Sequence, residues 1–175
     1  MEKEALKRIF EFLEDNEEHN APFRWKILNN IPITEEDLNV KGNLDLSYSN
    51  ITLLPKGLKV DGGLDLSGSD ITSLPEGLKV GRYLDLSYSN ITSLPQGLKV
   101  GLYLDLSNTR ITSLPKGLKV GHNLHLRSTK ITSLPKGLEV GGNLNIMKTQ
   151  LKKYTDDELR EMIQPGFIEG GIYRK

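Results

Sequence analysis

From residue 42 to residue 151 the chain cycles through apolar and polar positions in one short pattern. In the segment 82–101, RYLDLSYSNITSLPQGLKVG, Leu84 and Leu86 lie two apart and point to one side of an extended stretch. Tyr83, Asp85 and Ser87 face the other way, which is the alternation of a half-buried strand. Ile91 and Leu94 follow, and Pro95 stops a helix from running through this turn. Leu98 and Val100 alternate again and predict a second extended stretch on the return path, with bends at Gly97 and Gly101. The inward set is then Leu84, Leu86, Ile91, Leu94, Leu98 and Val100.

The cycle restarts at Gly42, Gly62, Arg82, Leu102 and His122, a period of 20 residues. A fixed short period marks a solenoid, in which each unit stacks on its neighbours. A single coil buries too little apolar surface to offset the entropy of ordering it. Stacking adds a parallel ladder with strands about 4.8 Å apart and seals the apolar faces between coils.

The frame LDLSxSxIxxLP, at Leu44–Pro55, Leu64–Pro75, Leu84–Pro95, Leu104–Pro115 and, with departures, Leu124–Pro135, resembles the leucine-rich repeat frame LxLxxNxLxxLP. The family's Asn is replaced by Ser49, Ser69, Ser89, Thr109 and Thr129, whose hydroxyls can also bond nearby backbone groups. With GLxVG closing each coil, the units are similar to short repeats of bacterial and bacteriophage proteins. The resemblance covers about residues 42 to 151. It implies an α/β solenoid, mostly parallel β, that binds a partner protein without catalysis through the exposed strand face. One setting it suggests is a phage or mobile-element protein that blocks a host defence protein by occupancy. A bacterial effector and a structural adaptor are the alternatives.

Both ends predict caps, making one domain of three parts: 1–41, 42–151 and 152–175. Leu6, Ile9, Phe10 and Leu13 form a helical stripe, the acidic run Asp15–Glu18 follows, and Pro22 marks a break. Residues 22–40 read as a degenerate first coil: Trp25 and Ile27 replace the leucine pair, Asn30 takes the family's Asn position, and Thr34–Asp37 form a short helical turn. Trp25 is expected to cover Leu44 and Leu46. At the other end Thr155 and Glu158 predict a capping box and a helix to about Gln164, ended by Pro165–Gly166. The tail 166–175 carries Phe167, Ile168, Ile172 and Tyr173 and is expected to pack on the last coil as an extended segment.

Composition changes this picture little. With 37% hydrophobic residues and a formal net charge of zero, the chain falls outside the disordered class. The lack of cysteine removes disulfides, thiolate metal sites and cysteine nucleophiles, and with them the cysteine-dependent ubiquitin ligases attached to similar bacterial repeats. No stretch approaches the roughly 20 apolar residues of a membrane span, and the acidic N-terminus has no signal-peptide core. A cytoplasmic monomer is therefore expected, with secretion by a non-cleaved signal and end-to-end pairing left open.

Candidate chemistry lies on the exposed side of the leucine-pair strands. One column reads Asn43, Gly63, Tyr83, Tyr103, Asn123, Asn143, and the next Asp45, Asp65, Asp85, Asp105, His125, Asn145. Beyond them run Ser47, Ser67, Ser87, Ser107, Arg127, Met147, and then Tyr48, Gly68, Tyr88, Asn108, Ser128, Lys148. Four carboxylates about 5 Å apart should raise one another's pKa. The column reads as repeat consensus with solvated or hydroxyl-bonded Asp, as a site for a basic partner, or as a divalent-cation site. A single column supplies few of the six or more oxygens calcium needs. Tyr48, Tyr83, Tyr88 and Tyr103 flank the acids, an interface composition, or else simply cover neighbouring stems. Arg110, His125, Arg127, Lys130 and Lys148 turn the far half of the face basic.

The return side carries Lys59, Lys79, Lys99 and Lys119, with Lys56, Lys116 and Lys136. Nonspecific phosphate contact is the nucleic-acid reading, and the balanced charge and missing stacking platform weigh against it. Asp105, Ser107 and His125 invite a triad, but a flat face offers neither oxyanion hole nor pocket. His19, His122 and His125 lack partners at metal-ligand spacing, and no P-loop is present, so no cofactor is implied.

Overall fold

Each 20-residue unit makes one turn around an apolar core and returns in register with the unit before it. The computed structural model describes residues 21–175. The stripe of Leu6, Ile9, Phe10 and Leu13 and the run Asp15–Glu18 lie outside the described residues.

The front strands Leu44–Asp45, Leu64–Asp65, Leu84–Asp85, Leu104–Asp105, Leu124–His125 and Leu144–Asn145 pair in parallel, and Ile172–Tyr173 adds a seventh. The return strands Asn39–Val40, Lys59–Val60, Lys79–Val80, Lys99–Val100, Lys119–Val120, Glu139–Val140 and Phe167–Ile168 form a second seven-stranded parallel sheet. The two sheets therefore make a parallel β-solenoid. All six inward side chains of the 82–101 unit are buried, from Ile91 at 0% to Leu94 at 8% exposure, and their equivalents join them in one continuous core.

The loop between the sheets is fixed by a buried hydroxyl. Ser69, Ser89, Thr109, Thr129 and Thr149 are each at most 5% exposed, and each donates to the carbonyl three residues earlier at 2.6–2.8 Å. The hydroxyls bond within their own coil and do not run from coil to coil. Bonds between coils come from the backbone: front N–H groups donate to the following coil, as Leu84 to Tyr103, and return N–H groups to the preceding one, as Gly81 to Val60. At the corner leading into the front strand, a Cβ on Gly101 would lie inside the van der Waals radius of the Gly81 carbonyl oxygen. Gly97, in the preceding turn, is needed for a different reason: its φ is +67° in open space.

The first part of the expected degenerate coil is a helix instead. Residues Ala21–Leu28 form α1, with Pro22 in the first turn, where a missing N–H breaks no helical bond. Trp25 and Ile27 therefore do not stand in for a strand's leucine pair. Asn30 is the helix stop: its φ is +54°, its N–H donates to the Ile27 carbonyl, and the Ile31 N–H donates to Lys26 at 2.8 Å. That pair of bonds is a Schellman motif with Asn in the left-handed position. Phe23 is the buried side chain of this segment at 3% exposure, while Trp25 is half-buried. The turn at Thr34–Asp37 forms as expected, with the Thr34 N–H donating to the Asp37 carboxylate at 2.8 Å. Asn39–Val40 then pairs with Lys59–Val60, so the return half of this coil is present.

At the other end the Thr155–Glu158 capping box forms and opens helix α2, Asp156–Met162. The tail continues both sheets, with Glu139 facing Phe167 and Leu144 facing Ile172. The register thus steps by 28 residues in place of 20, because the last coil contains the helix. The Arg160 guanidinium then takes the carbonyls of Ile168 and Gly170. One coil earlier, Val140 and Gly142 give those same carbonyls to N–H groups of the tail. Arg160 thereby occupies two acceptors that a further coil would use. No helix among the described residues is long and apolar enough to cross a membrane.

Candidate functional site

The leucine pair is buried, so the intervening residues form a ruled front surface. Asp45, Asp65, Asp85, Asp105 and His125 are direct register partners along it. Each aspartate holds a turn. The Ser47 N–H and hydroxyl donate to Asp45 Oδ1 at 2.9 and 2.7 Å, and the N–H groups of Ser67, Ser87 and Ser107 donate to Asp65, Asp85 and Asp105 at 2.7–2.9 Å. Asn145 does the same for the Met147 N–H at 3.0 Å. This side-chain turn ends the strand and aims the chain into the loop. Asp45 thus takes a hydroxyl, and the recurrent donor along the column is the backbone N–H two residues on.

The expectation that the acids all raise one another holds at Asp85 and fails at Asp45 and Asp105. Asp85 is pushed up, chiefly by burial, with Asp105 and Asp65 adding to it against the Ser87 hydrogen bonds. Asp45 is held below the usual range by its bonds from Ser47. At Asp105 burial pulls upward, but the bond from His125 and those from Ser107 prevail and lower it. His125 Nδ1 lies 3.4 Å from Asp105 Oδ2, and this contact raises the imidazole. Burial and the charges of Asp65, Asp45 and Asp85 raise the Tyr83 hydroxyl.

Tyr83, Asp85, Tyr103, Asp105 and His125 meet around one shallow depression of about 250 Å³. Tyr83 lies over Gly63, leaving no room for a Cβ there, and Tyr48 covers Gly68 in the same way. Tyr103 packs at a tilt against His122, with ring centroids 5.1 Å apart. Part of the tyrosine surface does cover neighbours, yet Tyr48 and Tyr88 remain 82% and 68% exposed. Both stand at left-handed backbone positions, with φ of +51° and +58°, in the column where the second coil has Gly68. Bulky side chains rarely occupy that region, which costs about 1–3 kcal/mol. Arg127 and Arg110 are exposed further along the face and do not line the depression.

Two features escaped sequence reading. Asn43, Asn123 and Asn143 accept the N–H of the next coil's equivalent residue at 2.8–2.9 Å, an amide ladder in a different column from the one the repeat frame suggests. Gly63, Tyr83 and Tyr103 interrupt it. The left-handed turn position was the second, and the single glycine at Gly68 was its signal.

Of the three residues that invited a triad, Asp105 and His125 line the depression and Ser107 does not. Ser107 is nearly buried, its N–H is committed to Asp105, and the depression is open. Among the described residues no three His, Asp or Glu side chains are grouped to hold a metal. No family model matches the chain, and no curated protein matches it.

Proposed function

We propose that the chain is a protein-binding module of the leucine-rich repeat type that acts without catalysis, by occupying a partner through its front strand face. The observation that carries this reading is the pair Tyr48 and Tyr88. Two aromatic rings stand largely in solvent on backbone that disfavours them. Exposed tyrosines beside half-buried acids are an interface composition. The partner would meet acids and tyrosines on one half and Arg110, Arg127 and Lys148 on the other. A block on a target protein follows from occupancy alone, whether the setting is a phage protein, an effector or an adaptor.

The test compares the native chain with Tyr48→Gly/Tyr88→Gly as bait in host-cell lysate, with retained proteins identified by mass spectrometry. Glycine relaxes both turns, so the variant should fold at least as well while losing the partner. Equal retention of the same protein by both baits would sink the front-face reading.

A further inference from the structure

A wide open groove of about 930 Å³ lies over the return sheet, on the opposite side. Lys59, Lys79, Lys99 and Lys119 rise along it, on strands whose Cα partners put lysine beside lysine. Like charges in register repel. Lys119 is relieved by Glu139 at 2.6 Å, but Lys59, Lys79 and Lys99 have no acidic partner among the described residues. Most flanking positions are bare: Gly77 and Gly97 on one side of the lysine row, Gly81, Gly101 and Gly121 on the other, where Asp61 holds the first place and pairs with Lys41.

We infer that this groove docks the front face of a second copy of the chain. The two faces match in period, and their contact relieves the like charges on each. Asp45, Asp65, Asp85 and Asp105 descend the front sheet with the same strand spacing, roughly 4.8 Å, as the four lysines of the return sheet. Tyrosines flank the acids on both sides, at Tyr83 and Tyr103 and at Tyr48 and Tyr88, where glycines flank the lysines. Knobs beside negative charge thus face hollows beside positive charge. A net charge of zero removes the overall repulsion that would keep copies apart. The contact joins two different faces, so each copy of a pair keeps one free face and further copies extend an open chain. It occupies the same front face as the proposed partner, so the two would compete.

Light scattering and sedimentation of the full chain test this. At about 20 mM salt the mass should climb with concentration above the 19.6 kDa monomer, and it should return to monomer near 1 M salt, where the screening length falls to about 3 Å. Lys79→Glu/Lys99→Glu and Asp65→Asn/Asp85→Asn should each abolish the association, the second while keeping the turn bonds. Mixed together, these two variants should form a discrete one-to-one complex, since each retains the face that the other lacks. A monomer at every concentration, association by either variant alone, or no complex in the mixture overturns the proposal. The lysine variant leaves the front face intact, so its loss of self-association with unchanged lysate partners separates this proposal from the front-face reading.

Discussion

The acid column of the front sheet and the lysine column of the return sheet share one period, but only the acids take part in recurrent hydrogen bonds. Each of Asp45, Asp65, Asp85 and Asp105 accepts the N–H two residues on, and Asn145 substitutes for them without loss of that bond. Lys59, Lys79 and Lys99 extend from the sheet with nothing comparable. A repeated residue is thus no guide to function until its local bonds are known. Local bonds fix the position of the acids, whereas the described residues give Lys59, Lys79 and Lys99 no such bond.

The largest test removes what both columns share. Gly101→Ala places a methyl against the Gly81 carbonyl, where the fixed partner is backbone, and should cost about 3 kcal/mol or more. Gly97→Ala meets open space and only a strained φ, so it should cost about 1 kcal/mol. Urea denaturation of both would show whether coil stacking or turn conformation dominates; equal losses would contradict the separation.

The next pair tests the columns directly. Asp105→Ala leaves the nearly buried Ser107 N–H without its acceptor and frees His125, at about 1–3 kcal/mol. Lys99→Ala should stay within about 0.5 kcal/mol of the native chain. A lysine loss as large as the aspartate loss would mean that the return column supports the coil as well.

Much of this was legible in the sequence because the solenoid is local. Leu84 with Leu86, and Leu98 with Val100, state which side faces in, and the period states which strands pair. The ends were less legible. At 21–28 a helix replaces the extended chain, and the stop at Asn30 has the same residue type as the repeat frame, so chemistry pointed to the wrong element. The tail's Ile172 is a front-strand residue displaced by helix α2, which hides its phase. Within the candidate site, columns were visible, but left-handed backbone at Tyr48 and Tyr88 depends on turn geometry that only Gly68 hinted at.

That turn geometry makes the third prediction opposite in sign. Tyr88→Gly relieves a left-handed φ and gives back part of the gain through unfolded-chain entropy, for a net stabilisation of about 0.5–1 kcal/mol. Tyr48→Gly should gain less, because its ring covers Gly68. A destabilised Tyr88→Gly would show that this ring contributes to the fold, and would remove the observation on which the proposed binding face rests.

The smallest effect separates charge from hydrogen bond within the front column. Asp85 is pushed above its ordinary 3.8 mainly by burial, so the unfolded chain gives up that proton more readily than the folded one. Stability from this group is therefore lost as pH rises from 3.8 through the raised value. Asp85→Asn keeps the acceptor for Ser87, as Asn145 does for Met147, and should raise Tm at pH 7 while changing little at pH 3. The Asp105–His125 pair instead stabilises within a pH window bounded on both sides. The raised imidazole contributes fully below 6.5 and loses its contribution as pH climbs through the raised value, while the lowered carboxyl contributes above 3.8 and loses its share in stronger acid. His125→Asn should therefore cost most between about pH 4 and pH 6 and progressively less as pH climbs from 6.5 through the raised value. Thermal melts across that range would then show one column holding a destabilising charge at Asp85 and a stabilising one a single coil away. A flat response in both variants would mean that the turn bonds alone account for the front column.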